Sequence, residues 1–396
     1  MPSLLTITTL FPNPVQPVHG AFVAARIGKL LATGEFDGEV IAPVPWLPPL
    51  VNYASLGPLW RVPRKRYWHK VTVHHPRYLV VPKIGMALTP HTLFWTLKRT
   101  VKKLLAQNRR FDLIDAHYFY PDGVAAVWVA RHFGIPVTVT ARGTDLNLIP
   151  EYPTPRKMIC EAAAQADGLI TVCQALKDRL IELGTAPERV TVLRNGVDLE
   201  LFKPIDRDKA RATLGLARRT LGSVGWLIER KGHHHAISAL AALPDTDLLI
   251  VGEGPERTAL EQLAAKKGVS ERVRFLGRIE QKQLPEFYSA MDALVLASAR
   301  EGWANVLLEA MACGTPVVAS AVWGTPEVVA APEAGVLMKT VDAQGVIEGV
   351  TRLFATYPDR AATRRYAEGF SWDATTQGQL ALFRQIIARR QPNNLA

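Results

Sequence analysis

Short apolar runs of strand type recur along this chain, separated by helical stretches of roughly a dozen residues, and this alternation restricts the fold more than any other feature. In the first half the runs are Leu4 to Leu10, Glu39 to Pro43, Phe111 to Ala116, VTVTA ending at Ala141, Gly168 to Val172 and Val190 to Leu193. In the second half they are Leu221 to Val224, Asp247 to Val251, Ala293 to Ala297 and VVAS ending at Ser320. Helices are predicted over Phe22 to Ala32, Asp122 to Phe133, Leu176 to Glu182, from about His233, and from about Thr376 to Arg389. Strands that alternate with helices predict an α/β chain with doubly wound parallel sheets, whose ligands bind beyond the C-terminal ends of the strands. With 396 residues and 48% hydrophobic content, the chain has material for two cores. The charged, core-poor stretch near 205 to 218 places the boundary between them. The expected organisation is therefore an N-terminal domain over 1–205, a C-terminal domain over 206–375, and a final helix over 376–396 that crosses back to the first.

Bulk properties exclude several classes. No apolar run reaches the roughly 18 to 20 residues that span a bilayer, and MPSLLTITTLFPNP lacks the basic start and long apolar stretch of a signal peptide, so a cytoplasmic location is expected. Cys160, Cys173 and Cys313 are odd in number and lack CxxC spacing, which points to core residues rather than a disulfide framework or a zinc site. The net charge of +11 is unevenly spread: no Asp or Glu occurs between Glu39 and Asp112, while 13 Lys/Arg do, interleaved with Trp46, Trp60, Tyr67, Trp68 and Trp95. Over residues 60–110 this mixture fits an anionic membrane surface, and with it a peripheral location on the inner face of the membrane. A plain solvated surface and nucleic acid are the competing readings; with no nucleic-acid motif beside the patch, nucleic acid is not expected.

The chemistry concentrates in SAREGWANVLLEAMACGTPVVAS, residues 298–320. After the strand at Ala293 to Ala297, a polar turn Arg300-Glu301-Gly302 precedes a predicted helix over Ala304 to Cys313, which Gly314-Thr315-Pro316 stops. The first N–H groups of a helix lack internal partners and carry about half a positive charge, so those of Asn305, Val306 and Leu307 suit a diphosphate. Glu309, one turn inside, tilts back toward the same ligand. A carboxylate there is a poor phosphate neighbour and a good acceptor for paired hydroxyls such as those of a ribose. Glu301 would then stand at the other end, near whatever the phosphate carries.

Glu301 and Glu309, with EAMACGTPVVAS around the second, resemble the Glu, seven residues, Glu pattern of retaining glycosyltransferases of the GT-B fold, in particular glycosyltransferase family 4. The resemblance covers nearly the whole chain, strongly from about 190 to 330 and loosely from 20 to 110. It implies two doubly wound Rossmann-like domains facing across a cleft, a nucleotide-sugar donor as substrate, no metal or other cofactor, and a glycan or lipid-linked acceptor. It also implies site residues. Gly20, after the first strand, matches a glycine that lets the backbone approach the donor diphosphate, although the usual double glycine is absent. Asn195, in Asn195-Gly196-Val197-Asp198, matches the cleft edge. In Gly225-Trp226-Leu227-Ile228-Glu229-Arg230-Lys231-Gly232, Lys231 matches one of two cations for the diphosphate; Trp226 stands where the other is usual, and Arg230 is the candidate to replace it. Gly252, Arg278 and Ile279 match loops that line the nucleobase pocket. Arg142 stands where many members have histidine; a permanent charge there suits an acidic sugar or phosphate, with a structural pairing to Asp145 as the alternative. His117, at the end of its strand, is either a site residue or a satisfied core histidine. A non-hydrolysing epimerase of the same fold and a binding protein without catalysis remain as alternatives to the transferase.

Overall fold

The structure is a computed structural model that describes residues 1–47, 54–80 and 85–390; residues 81–84 of the basic stretch lie outside the described residues. It divides into two compact units, one of Met1–Leu193 with Ala374–Ala396 and one of Arg194–Asp373.

The first unit is built on an eight-stranded sheet in the order Val190–Val192, Gly168–Thr171, Val137–Ala141, Leu113–His117, Ser3–Ile7, Asp37–Ile41, Val71–His74, Lys65–Trp68. All neighbours are parallel except the last pair, which is antiparallel. The central strands are buried along their length, as in LIDAH and VTVTA, because helices cover both faces of such a sheet. The final helix, Trp372–Arg390, belongs largely to this unit: Leu380, Phe383 and Ile386 pack with Leu4, Leu30, Phe36, Leu113 and Ile170. The acid-free stretch, to which the sequence pattern assigned no element, supplies the edge strand Lys65–Trp68, its neighbour Val71–His74, the strand Arg77–Leu79 and a long helix, Gly85–Ala106. That helix buries Leu93, Leu97, Val101 and Leu104, a spacing of three to four residues that puts them on one face.

The second unit carries a six-stranded parallel sheet in the order Val273–Gly277, Thr246–Val251, Arg219–Val224, Ala293–Leu296, Val317–Ser320, Gly335–Met338. Its core joins Leu221, Leu248, Ile250, Val295 and Val318 to Ile237, Leu260, Val346 and Val350 from the covering helices.

The division falls at Leu193 and Asp373 rather than at 205 and 375, and the contacts give the reason. Val197 N–H donates to Phe370 O at 2.9 Å, Arg364 donates to Leu199 O and Phe202 O, and Phe202 packs edge-on to Tyr288, so residues 194–205 are already tied to the second unit. The charged stretch expected to be a linker is a helix, Arg207–Leu214. Asp206 caps it by accepting from Lys209 N–H, and Arg207 and Arg211 anchor it on Asp292. Its charges are spent on side-chain pairing, which a reading based on core-forming residues does not register.

Candidate active site

In each sheet the chain winds outward in one direction and then restarts on the other side of its first strand, which leaves a crevice where the two directions part. In the second unit that point lies between Arg219–Val224 and Ala293–Leu296. The loops leaving these two strands carry Lys231 and Glu301. Lys231 Nζ stands 2.6 Å from Glu301 Oε1, with both side chains largely buried. The loops are further stitched by Ala299 N–H donating to Arg230 O at 2.9 Å and by Arg230 Nη1 donating to Arg300 O at 2.8 Å. Two residues of opposite charge, 70 positions apart, thus sit side by side at the head of the helix Asn305–Ala312.

At that helix the structure refines the expectation. Asn305 N–H donates to Trp303 O and Leu307 N–H donates to Ala304 O, because a turn precedes the helix and uses these donors. Asn195 Nδ2 reaches Asn305 Oδ1 at 3.4 Å, bringing the predicted cleft-edge residue onto the same helix start. Beside it Arg194 pairs with Glu327 at 2.7 Å and lies over the Trp303 ring. Ser298 Oγ, Trp303 Nε1 and Thr325 Oγ1 are buried polar atoms of this region without a hydrogen-bond partner among the described residues. Glu309 is half-buried, and its Oε2 accepts from Tyr288 O–H at 2.9 Å. Burial pushes its carboxyl up to about 7, against the opposing pull of the Tyr288 hydrogen bond.

Gly252 is required by contact: a Cβ would lie 1.8 Å from Gly225 O, and its φ of +146 is a conformation that side chains rarely adopt. The loop after it fits against Leu227, whose N–H donates to Glu253 O at 2.7 Å and whose carbonyl accepts from Glu256 N–H. His233 fixes the same loop from below, with Nδ1 2.8 Å from Ser223 Oγ and Nε2 3.3 Å from Trp226 O. Burial lowers its ring to about 4, so it is neutral at pH 7. Arg278 is exposed and Ile279 half-buried, both following the edge strand two positions from the switch point, so they are not brought against Lys231 or Glu301. Tyr288 and His233 are supporting residues that no local sequence signal singled out, since their roles come from partners 21 and 10 residues away.

The corresponding crevice of the first unit lies between Ser3–Ile7 and Leu113–His117. Gly20 closes the loop there with φ +67, and the carbonyl carbon of Leu10 lies 2.2 Å from where a Cβ would stand. The close approach its position demands is thus to the chain itself. Two buried carboxylates organise the neighbouring loops. Asp122 accepts from Thr9 N–H at 2.5 Å and Thr9 Oγ1 at 2.9 Å, and burial pushes it up to about 7 despite these bonds. Asp145 accepts from the backbone N–H groups of Phe119, Arg142 and Gly143. Arg142 meets Asp145 through its backbone, while its side chain is buried and donates from Nη2 to His117 Nδ1 at 2.5 Å. His117 is fully buried, with Nε2 3.0 Å from Asp115 Oδ2. Burial holds its ring down at about 4, which leaves Nδ1 a neutral acceptor for the guanidinium. His117 is thus an interior ring held between Asp115 and Arg142, with Nδ1 as the atom that engages the Arg142 side chain.

Comparison with known proteins decides the family. The group 1 glycosyl transferase family model matches residues 205–370, and the glycosyltransferase family 4 model matches residues 33–201. A protein of Catenulispora acidiphila named D-inositol 3-phosphate glycosyltransferase 1 is 35% identical over 308 residues, 70% of this chain and 73% of that protein. The chain belongs to the group 1 glycosyltransferases. A second relative of this glycosyltransferase, the D-inositol 3-phosphate glycosyltransferase of Saccharomonospora viridis, is 32% identical over 70% of this chain and 71% of the relative. Among solved structures, sucrose-phosphate synthase of Thermosynechococcus elongatus superposes with a TM-score of 0.79 at 22% identity, over 98% of this chain and 100% of that one. Anabaena HepE in complex with UDP superposes with a TM-score of 0.73 at 22% identity, over 97% of this chain and 100% of that one. At these identities the likeness establishes the fold, GT-B, with its two Rossmann-like units.

Proposed function

We propose that this glycosyltransferase moves a sugar from a nucleotide-sugar donor to a glycan or lipid-linked acceptor, with retention at the anomeric carbon, in the synthesis of polysaccharide or cell-envelope glycan at the inner face of the membrane. The observation that carries the reading is the Lys231–Glu301 pair at the switch point of the C-terminal unit, at the head of the helix that bears Glu309. An ammonium group has three donors, so Lys231 can hold Glu301 and a phosphate oxygen together. With Arg230 it offsets the charge that develops on the departing diphosphate, a task otherwise given to a metal ion. Glu301 then orients the sugar through its remaining lone pairs, and Glu309 accepts from the ribose. The acceptor proton passes to a phosphate oxygen as the acceptor attacks from the face that the diphosphate leaves, so no protein base is required. Arg142 in the first unit favours a donor or acceptor with an anionic group.

HepE is a structural neighbour solved with UDP and with UDP-glucose, so uridine nucleotides head the donor panel. The names of the relatives put inositol 3-phosphate among the acceptors to try. Thermal unfolding against nucleoside diphosphates, with and without EDTA, reads the donor site: ligand at about a hundred times its Kd adds roughly 2.7 kcal/mol. Transfer of radioactive sugar to membrane lipids or inositol phosphate, with the anomer read by NMR, then tests the reaction. A midpoint unmoved by every nucleotide removes the donor assignment. Loss of donor without acceptor and with formation of its epimer identifies an epimerase, and binding without turnover an inactive binder.

A further inference from the structure

We propose that one face of the N-terminal unit, formed by the outer side of the helix Gly85–Ala106 and the neighbouring Trp60–Arg61 corner, is a docking surface for an anionic lipid bilayer. Inward, the helix is fastened by Leu93, Leu97, Val101 and Leu104, and outward it divides into two zones. Its first half exposes Leu88 and Trp95, the last at 62%, seven residues apart and so on one face. Its second half exposes Arg99, Lys102 and Lys103, which share the face of Trp95 at spacings of four, seven and eight residues. An apolar half followed by a cationic half is the order in which a helix lies in a headgroup layer, with rings and aliphatic side chains at the acyl boundary and ammonium groups among phosphates.

Trp60 extends this face. It is 72% exposed, its carbonyl accepts from Arg77, and the carbonyl of Arg77 accepts from Thr96 Oγ1 on the helix next to Trp95, so the two indoles belong to adjoining elements. Each indole carries a cation: Arg61 lies 5.1 Å from the Trp60 ring and Lys98 Nζ lies 5.2 Å from the Trp95 ring. A soluble surface that leaves two indoles in water while surrounding them with positive charge lacks the acidic residues that ordinarily balance such a patch. The chain places no Asp or Glu between Glu39 and Asp112, and Glu39 is buried in a pair with His74 and Arg109. The stretch itself therefore carries positive charge with no acid of its own to balance it. Nucleic acid would also answer the charge, but it has no use for Leu88 beside Trp95 on the helix, whereas a bilayer satisfies both zones together.

The test uses the full chain and sedimentation with vesicles of phosphatidylcholine alone or with about one third phosphatidylglycerol. Binding is expected to the anionic vesicles and to fall sharply in molar salt. Each basic residue near such a surface is worth about fivefold in partition, so reversing two with Lys102→Glu and Lys103→Glu weakens binding by about 25-fold or more. Trp60→Ala with Trp95→Ala weakens it as well, and removes the part of the tryptophan fluorescence that brominated lipids quench. Equal binding to neutral vesicles, no loss on charge reversal, or retention on heparin or RNA with no vesicle binding overturns the proposal. All four positions are exposed, so unfolding midpoints stay near wild type. The shift that a donor nucleotide gives is read in the same variants and is independent of this surface.

Discussion

Glu309 offers the sharpest test of how the C-terminal unit is built. Its carboxyl titrates from an ordinary 4.5 up to about 7, because burial disfavours the anion more than the Tyr288 hydrogen bond at 2.9 Å restores it. A group whose folded-state value is raised contributes stability that is fully present below its unfolded value and is lost as pH rises through the folded one. The wild type therefore loses stability between about pH 4.5 and pH 7, and the gap is worth roughly 3 kcal/mol. Glu309→Gln keeps an oxygen for Tyr288 and has no charge to bury. At pH 8 the variant should be more stable than wild type by up to that amount, some 6 to 12 °C in the midpoint of a unit this size; at pH 4.5 the two should coincide. The assay is thermal unfolding at fixed ionic strength from pH 4.5 to 8, read as the difference between variant and wild type so that Asp122, raised in the same direction, cancels. The same variant should bind donor nucleotide more weakly, a cost to function from a change that stabilises the fold. Parallel pH profiles, or a variant less stable at pH 8, would refute the account of this carboxyl.

Lys231→Ala removes the partner 2.6 Å from Glu301 and should lower turnover by about 10²- to 10³-fold, the scale of losing one preorganised charge, and lower the midpoint as well, since Glu301 is left buried without its cation; unchanged kcat would remove Lys231 from the chemistry. His117 should remain neutral down to about pH 4, so its ring signals in NMR should hold constant from pH 7 to 5; since its folded value is depressed, it adds stability above pH 6.5 that is lost as pH falls toward 4. Gly252→Ala would place a Cβ 1.8 Å from Gly225 O in a left-handed backbone and should cost about 3 kcal/mol or more, seen as a lowered midpoint and faster proteolysis of the second unit. Arg26 is fully buried and donates to Gln379 and to Leu193 O at the two ends where the chain leaves the first unit; Arg26→Met should destabilise that unit by about 3 to 5 kcal/mol, measured by denaturant unfolding.

Most of the strand positions were visible in the chain because parallel strands buried on both faces are written as uninterrupted apolar runs. Ala293–Leu296, Val317–Ser320 and Val137–Ala141 each lie within a residue of where such a run stands. The strands Lys65–Trp68 and Val71–His74 were not visible, since both alternate more and less exposed positions over only four residues and the first, at the sheet edge, carries lysine and arginine. The helix Arg207–Leu214 was missed because its place depends on Asp292, some 80 residues on.

The sequence by itself determined the class of fold, the two units and the segment in which Glu301, Asn305 and Glu309 gather, because each follows from local periodicity and from residues within one turn of one another. Only the tertiary structure decided the rest. It set Lys231 against Glu301 across 70 residues, put Tyr288 on Glu309, spent the N–H groups of Asn305 and Leu307 on a preceding turn, and enclosed His117 between Asp115 and Arg142. The physical reason is that the Lys231, Tyr288 and Arg142 pairings join elements distant in the chain, and burial sets the charge of the groups that make them, while the turn before Asn305 is a local hydrogen-bond choice that residue propensity does not display.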